Sequence, residues 1–238
     1  MEICLFLIGQ SNDPYDALTE RDTASIHAAS RDVDGLRHLV IHRAVEPASG
    51  DSLPKTPVES PHCVLQWYFD DLDLLESALQ SNGAIQTVLA TSIDAAWGPG
   101  AFVQQVMAVR RFATPDAGPS HKSLERCSYL VGYEGEANDF NAWLTHYMTY
   151  HPPLMAQLPG IRELEIYTRV DYRADIAWPR ATAMQRNKVV FDDASALSVA
   201  LASPVRALMK RDFDAFPPYS GSAPHYPMRS IYGNLLGK

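Results

Sequence analysis

The chain has 238 residues, 46% hydrophobic and 20% charged, which is enough apolar material for a sizeable core and argues against disorder. A net charge of −8 with no Lys/Arg cluster argues against binding to nucleic acid or to an anionic membrane surface. That balance suits a neutral, apolar or aromatic small molecule better than a polyanion.

Cys4, Cys63 and Cys127 are scattered, with no CxxC pair and no even framework. Disulfides and a thiolate zinc site are not expected, and a reducing cytoplasm is the expected compartment. The apolar start at 3–8 is too short for a secretory h-region and follows Glu2 rather than a basic segment. No run reaches the length a membrane-spanning helix needs.

In chain order, the pattern predicts a strand at 3–8, a helix at 17–30 and a strand at 36–45. The stretch 46–61 contains Pro47, Gly50, Pro54 and Pro57 and reads as a loop. A strand at 63–69, a helix at 72–89 and a strand at 102–112 follow, then a linker at 113–122 with Pro115, Gly118 and Pro119. The second half predicts a strand at 127–133, a helix at 137–158, strands at 161–170 and 187–191, a helix at 194–211 and a strand at 228–232. Phe216-Pro217-Pro218-Tyr219-Ser220-Gly221 reads as an irregular loop of the kind that serves as a lid.

The two halves repeat one another. Gly35-Leu36-Arg37 recurs as Gly160-Ile161-Arg162, and the strand after it recurs too, 125 positions on (160 against 35). Tyr68-Phe69-Asp70-Asp71, with Leu75, Ala78 and Leu79, matches Val190-Phe191-Asp192-Asp193, with Leu197, Ala200 and Leu201, at a shift of 122 (191 against 69). Strand-helix-strand-strand-helix-strand is the ferredoxin-like order. The fold class is therefore α+β. Two tandem βαββαβ units, at 1–113 and 123–238, are expected to join as a barrel with helices outside and sheet faces inward.

Alternation within the strands assigns residues to faces. In 36–45 one parity carries Leu39 and Ile41, and in 161–170 it carries Leu164 and Ile166. That apolar parity belongs under the helices. The other parity, with His38, His42, Glu163, Glu165, Tyr167 and Arg169, then faces the barrel interior. Tyr68 and Lys188 follow from the neighbouring strands. Buried charges at these positions require partners, water or a ligand.

Two further features bear on chemistry. In 137–158, Phe140, Trp143, Leu144, Tyr147 and His151 recur at helical spacing, a row that usually packs a core. His151 is placed at the helix end before Pro152-Pro153, where the helix dipole favours the imidazolium. A metal site would need His38 and His42 to meet Glu163 or Glu165, and no tight ligand spacing supports one, so no metal is expected. There is no GxSxG, phosphate loop or GxGxxG.

Phe140, Trp143 and the run from His151 through Pro159-Gly160-Ile161-Arg162 resemble the signature of the EthD-type dimeric α+β barrel proteins. The likeness is specific over 140–170 and otherwise rests on element order and on Phe191-Asp192-Asp193. The first half departs from it, with His27-Ala28-Ala29 in place of His-x-Pro. The resemblance implies paired ferredoxin-like units. It also implies small enzymes without organic cofactors, often acting on aromatic or polyketide-like molecules. Related folds often self-associate, which makes a homodimer an expectation.

The resulting expectation is a cofactor-independent lyase whose barrel encloses a phenolic or aromatic substrate. His151 or His42 would be the base, Glu165 its partner and Tyr167 the acid. His38, Arg169, Lys188, Glu163 and Tyr68 would bind the substrate. C–C cleavage would release a small carbonyl fragment or CO2. A cyclase or isomerase, a haem or metal oxygenase, and a non-catalytic binding protein are the alternatives.

Overall fold

The computed structural model describes residues 1–9, 18–45, 60–92, 102–115 and 125–233. The first half contains β1 (Ile3–Gly9), α1 (Glu20–Ala29), β2 (Leu36–Ala44), β3 (Cys63–Phe69), α2 (Leu72–Ala78), α3 (Ala84–Ser92) and β4 (Phe102–Phe112). The second contains β5 (Glu125–Ala137), α4 (Phe140–Met155), β6 (Glu163–Arg169), β7 (Gln185–Phe191), α5 (Ala194–Ala202), α6 (Pro204–Asp214), β8 (Tyr219–Ser222) and β9 (His225–Tyr232). Most of the predicted 46–61 loop and of the 113–122 linker lies outside the described residues.

Each half orders its strands the same way: β4-β1-β3-β2 in the first and β9-β5-β7-β6 in the second. The halves join through hydrogen-bonded edges, β4 to β6 and β2 to β9, so eight antiparallel strands close on themselves. Closure leaves no bare edge in the barrel. Among the described residues, no helix is long and apolar enough to cross a membrane.

The repeated sequence is a repeated structural device. Gly35 and Gly160 both sit at φ 73°, the left-handed conformation that glycine adopts without Cβ strain. Arg37 pairs with Asp70, and Arg162 with Asp192. Asp71 and Asp193 each cap a helix, accepting from the backbone of Leu74 and Ala196 respectively. Three of the shared motifs thus shape turns and helix starts rather than a site.

Two predicted helices are each broken in two. The 72–89 segment breaks where Asn82 takes φ 59° and a Cβ on Gly83 would lie 2.3 Å from the Ala78 carbonyl. The 194–211 segment breaks at Ser203, held extended at ψ 157° by Pro204, which starts α6. Conversely, α4 runs through Pro152 and Pro153 to Met155 rather than ending at His151. Pro152 and Pro153 bring no N–H, so the carbonyls of half-buried Met148 and exposed Thr149 lose their usual helical donors.

Packing divides into three apolar clusters. Leu39, Ile41, Trp67 and Phe69 meet the helices of the first half, and Leu164, Ile166, Trp143 and Tyr147 form the equivalent layer in the second. Cys4, Phe6, Val40, Tyr68, Met107, Leu130, Tyr167 and Met228 fill the barrel. The face assignment read from alternation therefore holds for β2 and β6.

Residues 170–182 of the second half cross over the first. Ile176 is buried there, and Trp178 packs on Phe102 with ring centroids 5.3 Å apart. Gln104 Nε2 donates to the Ile176 and Trp178 carbonyls at 3.1 and 2.8 Å, and the Asp175 N–H donates to Leu79 O at 3.1 Å. The segment is thereby tied down along its length over the helix-sheet core of the first half.

Candidate active site

Among the described residues, the barrel interior holds most of the predicted site residues, and their own side chains largely fill it. A cleft there, beside Phe6, Ile8, Arg186 and Tyr226, measures about 20 Å³, room for one water. This corrects the expectation of a substrate cavity enclosed by the barrel. Side chains that could have lined a cavity instead bond to one another.

Their network crosses between the halves. His42 Nε2 donates to Gln66 Oε1 at 2.6 Å, because a carboxamide oxygen can only accept, and Nδ1 lies 2.7 Å from the Ser230 hydroxyl. Gln66 Nε2 donates to the Tyr167 hydroxyl at 2.8 Å. Tyr167 and Tyr68 both donate to Glu165, which also meets Lys188 at 2.9 Å and Arg111 Nε at 2.9 Å. Burial pushes the Glu165 carboxyl up, but Lys188 and Arg111 outweigh it and hold the group at about 2. Burial, with Lys188 nearby, lowers His42 to about 3, so this imidazole is neutral and both its nitrogens are engaged.

The remaining predicted residues lie at the rim. His38 stacks on Tyr68 at 4.0 Å, and burial lowers it to about 4. Glu163 accepts from Tyr232 at 3.1 Å and lies 3.5 Å from Lys188. Arg169 is exposed, its guanidinium 5.4 Å from the Phe140 ring centroid, and does not join the network.

His151 is elsewhere. It lies on α4, outside the barrel wall, so it does not meet His42, Tyr167 or Glu165 in one pocket. It lines a cavity of about 170 Å³ between the outer face of β5 and β7 and the helices α4, α5 and α6. Val131, Met155, Val189, Leu197 and Met209 make the walls apolar, and Asn187, Arg206 and His225 add polar groups.

The imidazole is held from behind. His151 Nδ1 lies 2.7 Å from Asp212 Oδ2, and Asp212 Oδ1 receives His146 Nε2 at 3.1 Å. A carboxylate can only accept, so Nδ1 carries the proton and Nε2 presents its lone pair. Burial lowers the His151 pKa, while Asp212 raises it and Arg206 lowers it further; the net shift is downward. The helix-end environment expected to raise it is not what His151 occupies, since α4 continues past it. Neutral imidazole backed by a carboxylate is the arrangement of a general base.

Aromatic side chains seal one side of this group. Phe216 packs on Tyr147, Trp143 and His151 at 5.6, 5.7 and 5.3 Å. The loop predicted as a lid thus lays its first residue over the imidazole, and its last residues form β8 against β5. Gly135 and Gly221 allow that pairing: a Cβ on Gly135 would lie 1.5 Å from Ser220 O, and one on Gly221 would lie 1.9 Å from Glu134 O.

Asp212, Asn187 and Arg206 were not expected from sequence. Asp212 is one of several charged residues on α6, and Asn187 lies on the β7 parity opposite to Lys188. Neither carries a motif. Among the described residues the first half shows no counterpart of the pair: the repeat shifts place Ile26, next to His27, at the position of His151 and Ala90 at that of Asp212. Among the described residues, no group of three His, Cys, Asp or Glu side chains could hold a metal ion.

No known family profile and no curated protein sequence matches the chain. Solved structures do. An anthrone oxidase-like protein superposes with a TM-score of 0.56 at 12% identity, covering 98% of this chain and 93% of that one. A candidate monooxygenase from Fusobacterium nucleatum gives 0.53 at 9% identity, covering 98% and 94%. A chlorite dismutase variant from Candidatus Nitrospira defluvii gives 0.50 at 10% identity, covering 95% and 91%. These likenesses establish the fold: the chain is similar, across both of its halves, to α+β barrel proteins of comparable length.

Proposed function

We propose that this chain is an enzyme in which His151 acts as general base on a phenolic or aromatic molecule held between α4–α6 and the sheet. The observation that carries this reading is the His151–Asp212 pair at 2.7 Å, with His151 lining an apolar cavity of about 170 Å³. Asp212 fixes the tautomer, and Nε2 takes a hydroxyl proton from the substrate. A base placed in this way contributes about 10²–10⁴-fold to the rate. The apolar walls exclude water and strengthen the electrostatics of proton transfer.

The reaction in this proposal is C–C cleavage. His151 takes the hydroxyl proton, and the C–C bond breaks to release a small carbonyl fragment. The electron pair stays on the carbon of the larger fragment, and the imidazolium returns its proton there. Loss of CO2 from an aryl carboxylate likewise leaves the pair on the ring carbon, which takes that proton, so the enzyme is a lyase that needs no organic cofactor. The EthD-type resemblance of residues 140–162 supports an aromatic substrate. The barrel network of His42, Gln66, Tyr167, Glu165 and Lys188 is read as the joint between the halves. A haem does not fit this cavity, because a space suited to one aromatic ring has no room for four pyrroles.

A second reading uses the same base. Two fold neighbours are described as anthrone oxidase-like and as a candidate monooxygenase. Deprotonation of an electron-rich phenol by His151 would then prepare it for attack on O2. Screening a phenol library by mass spectrometry, beside an oxygen electrode, separates the two. Fragment release without oxygen uptake supports the lyase, and stoichiometric oxygen uptake supports the oxygenase. Turnover that survives His151→Gln intact contradicts both.

A further inference from the structure

The cavity is lined by two residues with polar groups that no described residue engages: the Asn187 side-chain carbonyl and the Arg206 guanidinium. Asn187, only 2% exposed, donates through Nδ2 to the Tyr147 hydroxyl at 2.8 Å, but its Oδ1 is buried and accepts nothing. A buried unsatisfied carbonyl is costly, and a donor brought to it would relieve that cost. Arg206 is half-buried on α6 and lines the same cavity. Its side chain has no hydrogen bond or ion pair to a described residue. Its positive charge reaches Tyr129, His151 and His225, all of which line the cavity.

These groups set an axis. Asn187 is at the deep, strand end, whereas Lys210, also lining the cavity, is exposed and marks the open, helix end. Lys210 is engaged by Asp214, at 2.7 Å, so Arg206 is the cation available to a ligand. The volume of about 170 Å³ suits a single substituted ring, since an apolar cavity of about 150 Å³ takes up benzene.

We infer that the ligand is a monocyclic dihydroxyaryl acid, with its carboxylate on Arg206, one hydroxyl facing His151 and a second donating to Asn187 Oδ1. The second hydroxyl is required because the first gives its hydrogen to His151. This inference rests on the reading of the His151 cavity as the substrate site.

Titration calorimetry with 3,5-dihydroxybenzoate, 3-hydroxybenzoate and resorcinol tests it on the full chain and on Arg206→Met and Asn187→Leu. The dihydroxy acid should bind at least about tenfold tighter than resorcinol, and Arg206→Met should erase that difference. It should bind about fivefold tighter than 3-hydroxybenzoate, and Asn187→Leu should erase that gap. If Asn187→Leu does not fold, the gap between the two acids on the unaltered chain gives the same reading. Equal affinities for the dihydroxy acid and resorcinol overturn the inference and leave the His151 site standing. Failure of all three aromatic ligands to bind the folded protein overturns the inference and the site together.

Discussion

His151 and Asp212 face each other from α4 and α6, Nδ1 to Oδ2 at 2.7 Å, and among the described residues the first half shows no such pair. Asp212 both orients the imidazole and raises its proton affinity against the burial that lowers it. Asp212→Asn removes the charge and allows the wrong tautomer. The expected result is a loss of about 10²-fold or more in kcat. The acid limb of the kcat/KM profile should also move to lower pH, because the group that raises the His151 pKa is gone. A pH–rate series on the variant checks both.

The buried barrel charges lead to a prediction about stability. Lys188 and Glu165 are both sealed, with side chains 1% and 4% exposed. Lys188→Met leaves Glu165 in an apolar interior with half its compensation and should cost about 3–5 kcal/mol. Lys188→Met with Glu165→Gln should recover a large part of that loss. Urea unfolding at pH 7 measures both. A single variant as stable as the parent would contradict the role assigned to the pair.

Acid sensitivity follows from histidines held neutral. Burial lowers His27, His38 and His225 to about 4, and His42 to about 3. Each folded value lies below the ordinary 6.5, so the unfolded chain binds protons first. The associated stability is present above about pH 6.5 and is lost as pH falls toward 4 and 3. Glu165, held at about 2 against an ordinary 4.5, adds a loss below about pH 4.5. Melting temperature should therefore begin to fall below pH 6.5, before ordinary carboxylates titrate. A flat melting temperature from pH 7 to 5 would refute this.

One ligand should bind per chain. The 170–182 segment packs on the helix-sheet core of the first half, and the repeat shifts place Ile26, beside His27, and Ala90 at the positions of His151 and Asp212. Calorimetric stoichiometry near one per chain is expected, and two would show that the first half keeps a site.

Much of the fold was legible because repetition fixes architecture independently of propensity. The motifs around Gly35 and Gly160, and around Asp71 and Asp193, recur because each makes a turn or a cap that both halves need. Alternation correctly put His42, Glu165 and Tyr167 inside the barrel. It could not show that they fill it, since parity assigns a face but says nothing of volume. Lys188, Tyr68 and Gln66 reach across from the other strands and use up the space. The site at His151 was half visible: the aromatic row and His151 stood out on α4. Asp212 lies 61 positions away and meets His151 only through helix packing, which leaves no local pattern.

The claim on which the rest depends is that the reactive imidazole is His151, outside the barrel, and not His42 within it. Long-range proton–nitrogen correlation spectra of the histidine rings, recorded at pH 7 during titration with phenol, test it directly. The account predicts His151 as the neutral tautomer protonated at Nδ1, with its Nε2 resonance moving as phenol binds and the His42 resonances staying in place. Movement of His42 with His151 unchanged would contradict it.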